Sequence, residues 1–372
     1  MRQYSNKKST GLPKTNFGGH PCNQKKENIL FWPFTGIGDN FCDYRAHLHD
    51  DQNNVYGDVN FLAKKWLLTD FMTNFFRIGV PLFLMLSGAL SLGRQWSVKS
   101  FLSKRLPRIV GPFIFWGFVL SLLLITCAYV FDLNFIKSFD LVSIASYIYN
   151  AYLYKSSGFY PYWFFWMILG TYFIMPIFNK WLLYSDLKEA EYFLGFWIIT
   201  CIFDFTLGYA FPIKLTYFTS PIGLVVLGYY LRYTERKIFN NINFAVALII
   251  IMAIVEVAFS AYMSTPNELY TIDRYSIFTT LEVIGVFILF KNWKYRFLDK
   301  ENIANKFINL LARYSYGLYL VHAPLLHIYK NLFVLPYHIL IPSLFIAVIG
   351  TSIILLAIFN RIPYVNRVIG VK

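Results

Sequence analysis

Charge is scarce in this chain. Asp, Glu, Lys and Arg make up 15% of its 372 residues, against about 25% in soluble domains, which excludes an ordinary water-soluble enzyme. Cysteine is scarce too. Cys22, Cys42, Cys127 and Cys201 have no metal-type spacing, and the last two fall inside apolar runs, so no disulfide framework is expected. A Gly-x-Ser-x-Gly nucleophile elbow is absent, as is a His-based zinc motif. Neither serine-hydrolase chemistry nor a bound metal is therefore expected. No internal repeat is visible, and no soluble domain follows the last apolar run.

Apolar side chains are what the chain has in abundance: 57% of it is hydrophobic and 20% aromatic. A helix needs ~20 mainly apolar residues to cross a bilayer. Nine segments qualify: 72–92, 109–131, 162–183, 191–209, 215–231, 242–263, 273–291, 308–330 and 337–360. Backbone groups in lipid must be satisfied within their own segment, so each is predicted to be a helix. Residues 141–154 read as a shorter amphipathic helix lying at an interface. The predicted fold class is all-α, a polytopic transmembrane helix bundle.

Lys and Arg sort the loops by side. One alternating set, including Arg94, Lys104, Arg105, Arg108, Arg232 and Arg361, holds eighteen basic residues against five in the other. The first set is expected on the cytoplasmic side, with the C-terminus there. The net charge of +14 is then mainly a topology signal, and nucleic acid is not an expected partner. Parity raises a conflict. Nine spans ending inside require an outside N-terminus, yet residues 1–65 carry nine Lys and Arg and no continuous apolar run. The stretch 28–49 is too polar, and too broken by Pro33, Gly36 and Gly38, to span. A tenth, N-terminal helix would resolve the parity. A local shift of reading frame would disguise one.

The most informative stretch runs from Gly79 to Pro112. An apolar segment ends in Ser87-Gly88, and a basic amphipathic segment, Lys104-Arg-Leu-Pro-Arg-Ile-Val-Gly-Pro112, leads into the next apolar run. This gathers fixed positive charge at one membrane face, as a site for an anionic ligand would. Arg105 and Arg108, three apart, share a helix face. Read alone, they are positive-inside anchors or the forks of an anion site.

Four segments in order carry a resemblance: Val80-Pro-Leu-Phe-Leu-Met-Leu-Ser-Gly-Ala-Leu90, Lys104 to Pro112, Tyr162-Trp-Phe-Phe-Trp-Met-Ile-Leu-Gly-Thr-Tyr-Phe-Ile-Met-Pro176, and Ser315-Tyr-Gly-Leu-Tyr-Leu-Val-His-Ala-Pro-Leu-Leu326. Together they resemble the acyltransferase-3 family of integral-membrane acyltransferases, especially the branch that O-acetylates surface polysaccharides. The resemblance implies ten spans with both ends cytoplasmic. It implies an acyl-CoA donor, typically acetyl-CoA, and a glycan or lipid-linked sugar acceptor, in the cell membrane. Residues 66–372 would be the membrane acyltransferase domain, and 1–65 an atypical segment in place of the first helix.

The resemblance also implies roles for residues. Arg105 and Arg108 would bind the donor. A histidine ending the first helix would be the base, a place that His49, in preference to His47, occupies in a polar context. His322, an ionisable group inside an apolar run, would be the second catalytic candidate. Pro161 and Tyr162 stand where the family often has a His before Trp163. Asp204, Glu256 and Glu282 also fall in apolar runs, with no spacing that ties them to one site, and Arg77 is a possible partner for them. The Trp163 to Trp166 cluster reads as an interfacial belt or a sugar-stacking platform. The competing functions are a transporter or flippase for a lipid-linked sugar, and an inactive relic of the acyltransferase. Inverted repeats and paired broken helices, which a transporter would show, are not visible.

Overall fold

The structure, a computed structural model, describes residues 64–136, 138–208, 221–264, 270–292, 303–332 and 337–371. Secondary structure among them is helical throughout. The helices are α1 (Lys64–Phe75), α2 (Gly79–Ser91), α3 (Val98–Val130), α4 (Leu141–Tyr152), α5 (Trp163–Tyr184) and α6 (Leu187–Ile202). They continue with α7 (Pro221–Tyr233), α8 (Ile242–Met263), α9 (Ile277–Asn292), α10 (Ile303–Leu332) and α11 (Tyr337–Asn360). Each of the nine predicted spans has a helix at its place. By length and apolar composition, six helical stretches among the described residues suffice to cross a membrane: Thr73–Ser91, Val98–Val130, Tyr160–Tyr184, Leu187–Leu207, Ile242–Met263 and Ser343–Asn360. The predicted interfacial helix is α4.

Local chemistry sets the ends and breaks. Ser97 caps α3 by accepting from the Ser100 amide at 3.1 Å. Asp140 caps α4 through Ser143 N at 3.0 Å, and Asn241 caps α8 through Asn243 N at 2.9 Å. Pro81 has no N–H to give the carbonyl four residues back. The chain tightens into a 3₁₀ turn there, Phe76–Ile78, between α1 and α2. Phe203–Leu207 forms a π-helical turn closed by Gly208 at φ +68°.

Packing separates inner from outer helices. α2 is buried on nearly every side, from Gly79 to Ser91. It lies backbone to backbone on α7, where Gly88 faces Val225 and Gly228 faces Met85, the close approach that small residues allow between membrane helices. α8 pairs with α9, and α10 packs on both α3 and α11. By contrast, α8 turns Ile250, Ile251 and Ile254 outward, each more than half exposed. Such a face is suited to lipid.

Candidate functional site

The helix ends meet at a basic end of the bundle. Asn179 of α5 ties the turn after α2, accepting from Gly93 N at 2.9 Å and donating to the Arg94 carbonyl at 3.0 Å. Trp96 stacks on Phe101 at 4.3 Å and donates to the Ser91 carbonyl at 2.9 Å. Arg105 reaches back from α3 to this turn. Its Nη2 donates to Ser91 Oγ at 2.8 Å, and its guanidinium lies 5.6 Å and 5.9 Å from the Phe101 and Tyr172 ring centroids, within cation–π range. Arg105 is half-buried, whereas Arg108, one turn on, is exposed. Neither makes an ion pair among the described residues, whereas Arg236 pairs with Glu191 at 2.8 Å.

Two further cations arrive at the same end. Arg232 donates to the Ala89 carbonyl at 2.7 Å, and Lys291 to the Leu231 carbonyl at 2.7 Å. Residue pattern had sorted these as loop charges. That α2 and α7 end side by side is what gathers them.

His322 is buried on α10, 4% exposed. Its Nδ1 lies 3.1 Å from the Leu318 carbonyl. A carbonyl can only accept, so Nδ1 carries the proton, and Nε2 is left with the lone pair in the neutral ring. Pro324, inside α10, leaves the Leu320 carbonyl without its helical donor. The Tyr162 hydroxyl replaces that donor at 3.4 Å. Tyr319, beside His322 with ring centroids 5.7 Å apart, donates to the Pro161 carbonyl. Pro161 and Tyr162 thus serve as structural clasps onto α10. His49 and His47 lie outside the described residues.

His322 and the arginine pair share a connection. Tyr316 of α10 donates to the Ile109 carbonyl at 2.8 Å, beside Arg108. His322 stands six residues further along α10, roughly 9 Å by helical rise.

Some of the scattered carboxylates do converge. Glu256 (α8) and Glu282 (α9) are 1% and 0% exposed, the Thr279 hydroxyl lies beside Glu256, and neither oxygen of Glu282 makes a hydrogen bond among the described residues. Asp70 and Arg77 lie within Coulombic reach of Glu256, which is itself near Glu282. Asp70 accepts from Asn74 at 3.1 Å and lies 2.7 Å from Ser260 Oγ, while Asn74 accepts from Ile272 N at 3.2 Å. Asp204 sits apart, in the π-helical turn. The Trp163 ring carries the Arg274 guanidinium 4.2 Å from its centroid. Asp70 escaped notice in the sequence because it precedes the first apolar run, and Asn74 because an uncharged residue at the start of that run carries no signal.

A family model described as an acyltransferase domain matches residues 47–360, most of the chain. No curated protein and no solved structure matches it.

Proposed function

The chain belongs to the acyltransferase-3 family of membrane acyltransferases, and from that premise we propose that it transfers an acetyl group from acetyl-CoA to a hydroxyl of a cell-envelope glycan. The observation that carries the donor half is Arg105. A half-buried guanidinium is held by Ser91 and two aromatic rings, with exposed Arg108 one turn away. Ser91 orients Arg105 without neutralising it. The pair can therefore offer forked donors to the phosphates of CoA.

In the reaction, the acceptor hydroxyl oxygen attacks the thioester carbonyl carbon. A histidine takes the hydroxyl proton, the carbon–sulfur bond breaks, and the thiolate leaves to become the CoA thiol. His322 offers Nε2 for that proton, and His49 is the other candidate. The basic end would face the cytoplasm, in the cell membrane, where acyl-CoA is found.

The test is transfer of radiolabelled acetyl from acetyl-CoA to glycan in membranes. Arg105→Ala and Arg108→Ala each remove charged hydrogen bonds worth about 1.5–3 kcal/mol. We expect each to raise the donor KM about 10- to 100-fold, with Lys104→Ala nearly silent. Unchanged donor KM in both would refute the assignment. A second reading, an inactive relative, is favoured by the polar, Pro- and Gly-broken stretch 28–49. Any transfer by the chain as written eliminates it. Transfer only after a first helix is restored would establish it.

A further inference from the structure

The arginines sit on a stretch of α3 whose direction the helix cannot fix by itself. Pro107 and Pro112 both lie inside α3. Each lacks an N–H, so the carbonyls of Ser103 and Arg108 lose their helical donors. Arg105 falls between those two gaps, and Arg108 carries the second of them. Bonds from outside the helix must therefore set the angle between the basic half of α3 and its apolar half.

Those bonds come from α10 and from the segment that follows α11. After Asn360 the chain turns back, makes a 3₁₀ turn at Val365–Arg367, and runs beside α3. The Val368 side chain lies over Gly111, where a Cβ would meet its Cγ1 at 3.6 Å. Ile369 is fully buried, and its carbonyl accepts from Trp116 Nε1 at 3.0 Å. Gly370, at φ +76°, lets the chain pass Tyr316 and Pro112, since a Cβ there would lie 3.0 Å from the Tyr316 ring. Tyr316 holds Ile109 from the same side at 2.8 Å. The ties fall at residues 109, 111, 112 and 116, on both sides of Pro112.

We infer that the strap formed by residues 365–371, together with Tyr316, is a positioning element that aims Arg105 and Arg108 at the donor. It touches neither arginine's charged group and acts through the backbone of α3. This rests on the donor role proposed for the two arginines. An unaimed guanidinium still attracts phosphate, but an imprecise fork loses its bidentate geometry.

The experiment measures CoA affinity of the full chain in nanodiscs by calorimetry, with thermal unfolding as a fold check. Trp116→Phe and Tyr316→Phe each delete one hydrogen-bond donor and keep the ring. We expect each to weaken CoA binding about three- to tenfold, the equivalent of one lost hydrogen bond. Donor KM should rise while kcat at saturating donor stays unchanged. In an Arg105→Ala/Arg108→Ala background the same two changes should have no further effect, because they act through the arginines. A strap that merely stabilises the fold would show equal losses in both backgrounds, or a fall in kcat, and that result overturns the inference. So does wild-type affinity in correctly folded Trp116→Phe and Tyr316→Phe. If the arginine double variant itself binds CoA normally, the donor-site reading falls and takes the strap's role with it. Loss in that variant with silent strap variants defeats the strap alone.

Discussion

Gly88→Ala tests whether the backbone contact between α2 and α7 holds the basic end together. A Cβ at Gly88 would lie 1.8 Å from the Val225 carbonyl oxygen and 2.6 Å from its carbon. Cβ contacts essentially never fall below 3.0 Å, so the two backbones must part by at least about 1 Å. No flexible side chain is present to yield. From the other helix, Gly228 would place its Cβ 1.9 Å from the Met85 carbonyl oxygen. Overpacking a core costs about 1–3 kcal/mol where side chains can shift, and here only backbone can move. We therefore expect about 3 kcal/mol for either Gly→Ala change, a large share of the 5–15 kcal/mol typical of folded proteins. The effect should reach the site, because the end of α2 holds Arg105 through Ser91 and Arg232 through Ala89. Gly170→Ala is the control. Nothing lies within 4 Å of its Cβ, so it should be neutral or stabilising by up to about 1 kcal/mol. Unfolding followed by tryptophan fluorescence in nanodiscs should show midpoints about 4 °C lower for Gly88→Ala and Gly228→Ala, with weaker CoA binding. A Gly88→Ala protein that unfolds like Gly170→Ala would refute the tight α2–α7 contact.

Two other outcomes follow from buried and capping acids. Glu282 is fully buried with neither oxygen hydrogen-bonded, so Glu282→Met should raise stability by about 1 kcal/mol or more. A lowered unfolding midpoint would mean the carboxylate is engaged. At Asp140, outside the spans, the hydroxyl of Ser138, followed by the amide and hydroxyl of Ser143, holds the carboxyl below the usual carboxylate range. A depressed value means the cap's contribution is complete above about pH 4 and lost only as pH falls through the lower folded value. Amide-exchange protection at the start of α4, taken relative to the intrinsic rate at each pH, should thus be unchanged down to about pH 4.5 and weaker in Asp140→Ala. Fraying that already begins near pH 6 would contradict this.

The helices were legible because lipid demands long apolar segments, and 242–263 reads the same in sequence and structure. Helix ends drifted where polarity and helicity part company. The predicted 109–131 is the apolar half of a helix that begins at Val98, since the amphipathic basic turn continues the same helix. Arg105 and Arg108 were legible as a pair by their spacing. Their difference was not, because Arg105 is turned inward by Ser91, fourteen residues away. The carboxylates Glu256 and Glu282 carried no shared spacing, and only the pairing of α8 with α9 makes them neighbours.

By itself the sequence determined the class of solvent, the number and order of legible spans, and the basic face. Each of these follows from local composition read against a bilayer. The tertiary structure decided which cations share one end and what steadies a proline-broken α3. Those depend on contacts between residues as far apart as Trp116 and Ile369, a separation across which no periodicity in the chain carries information.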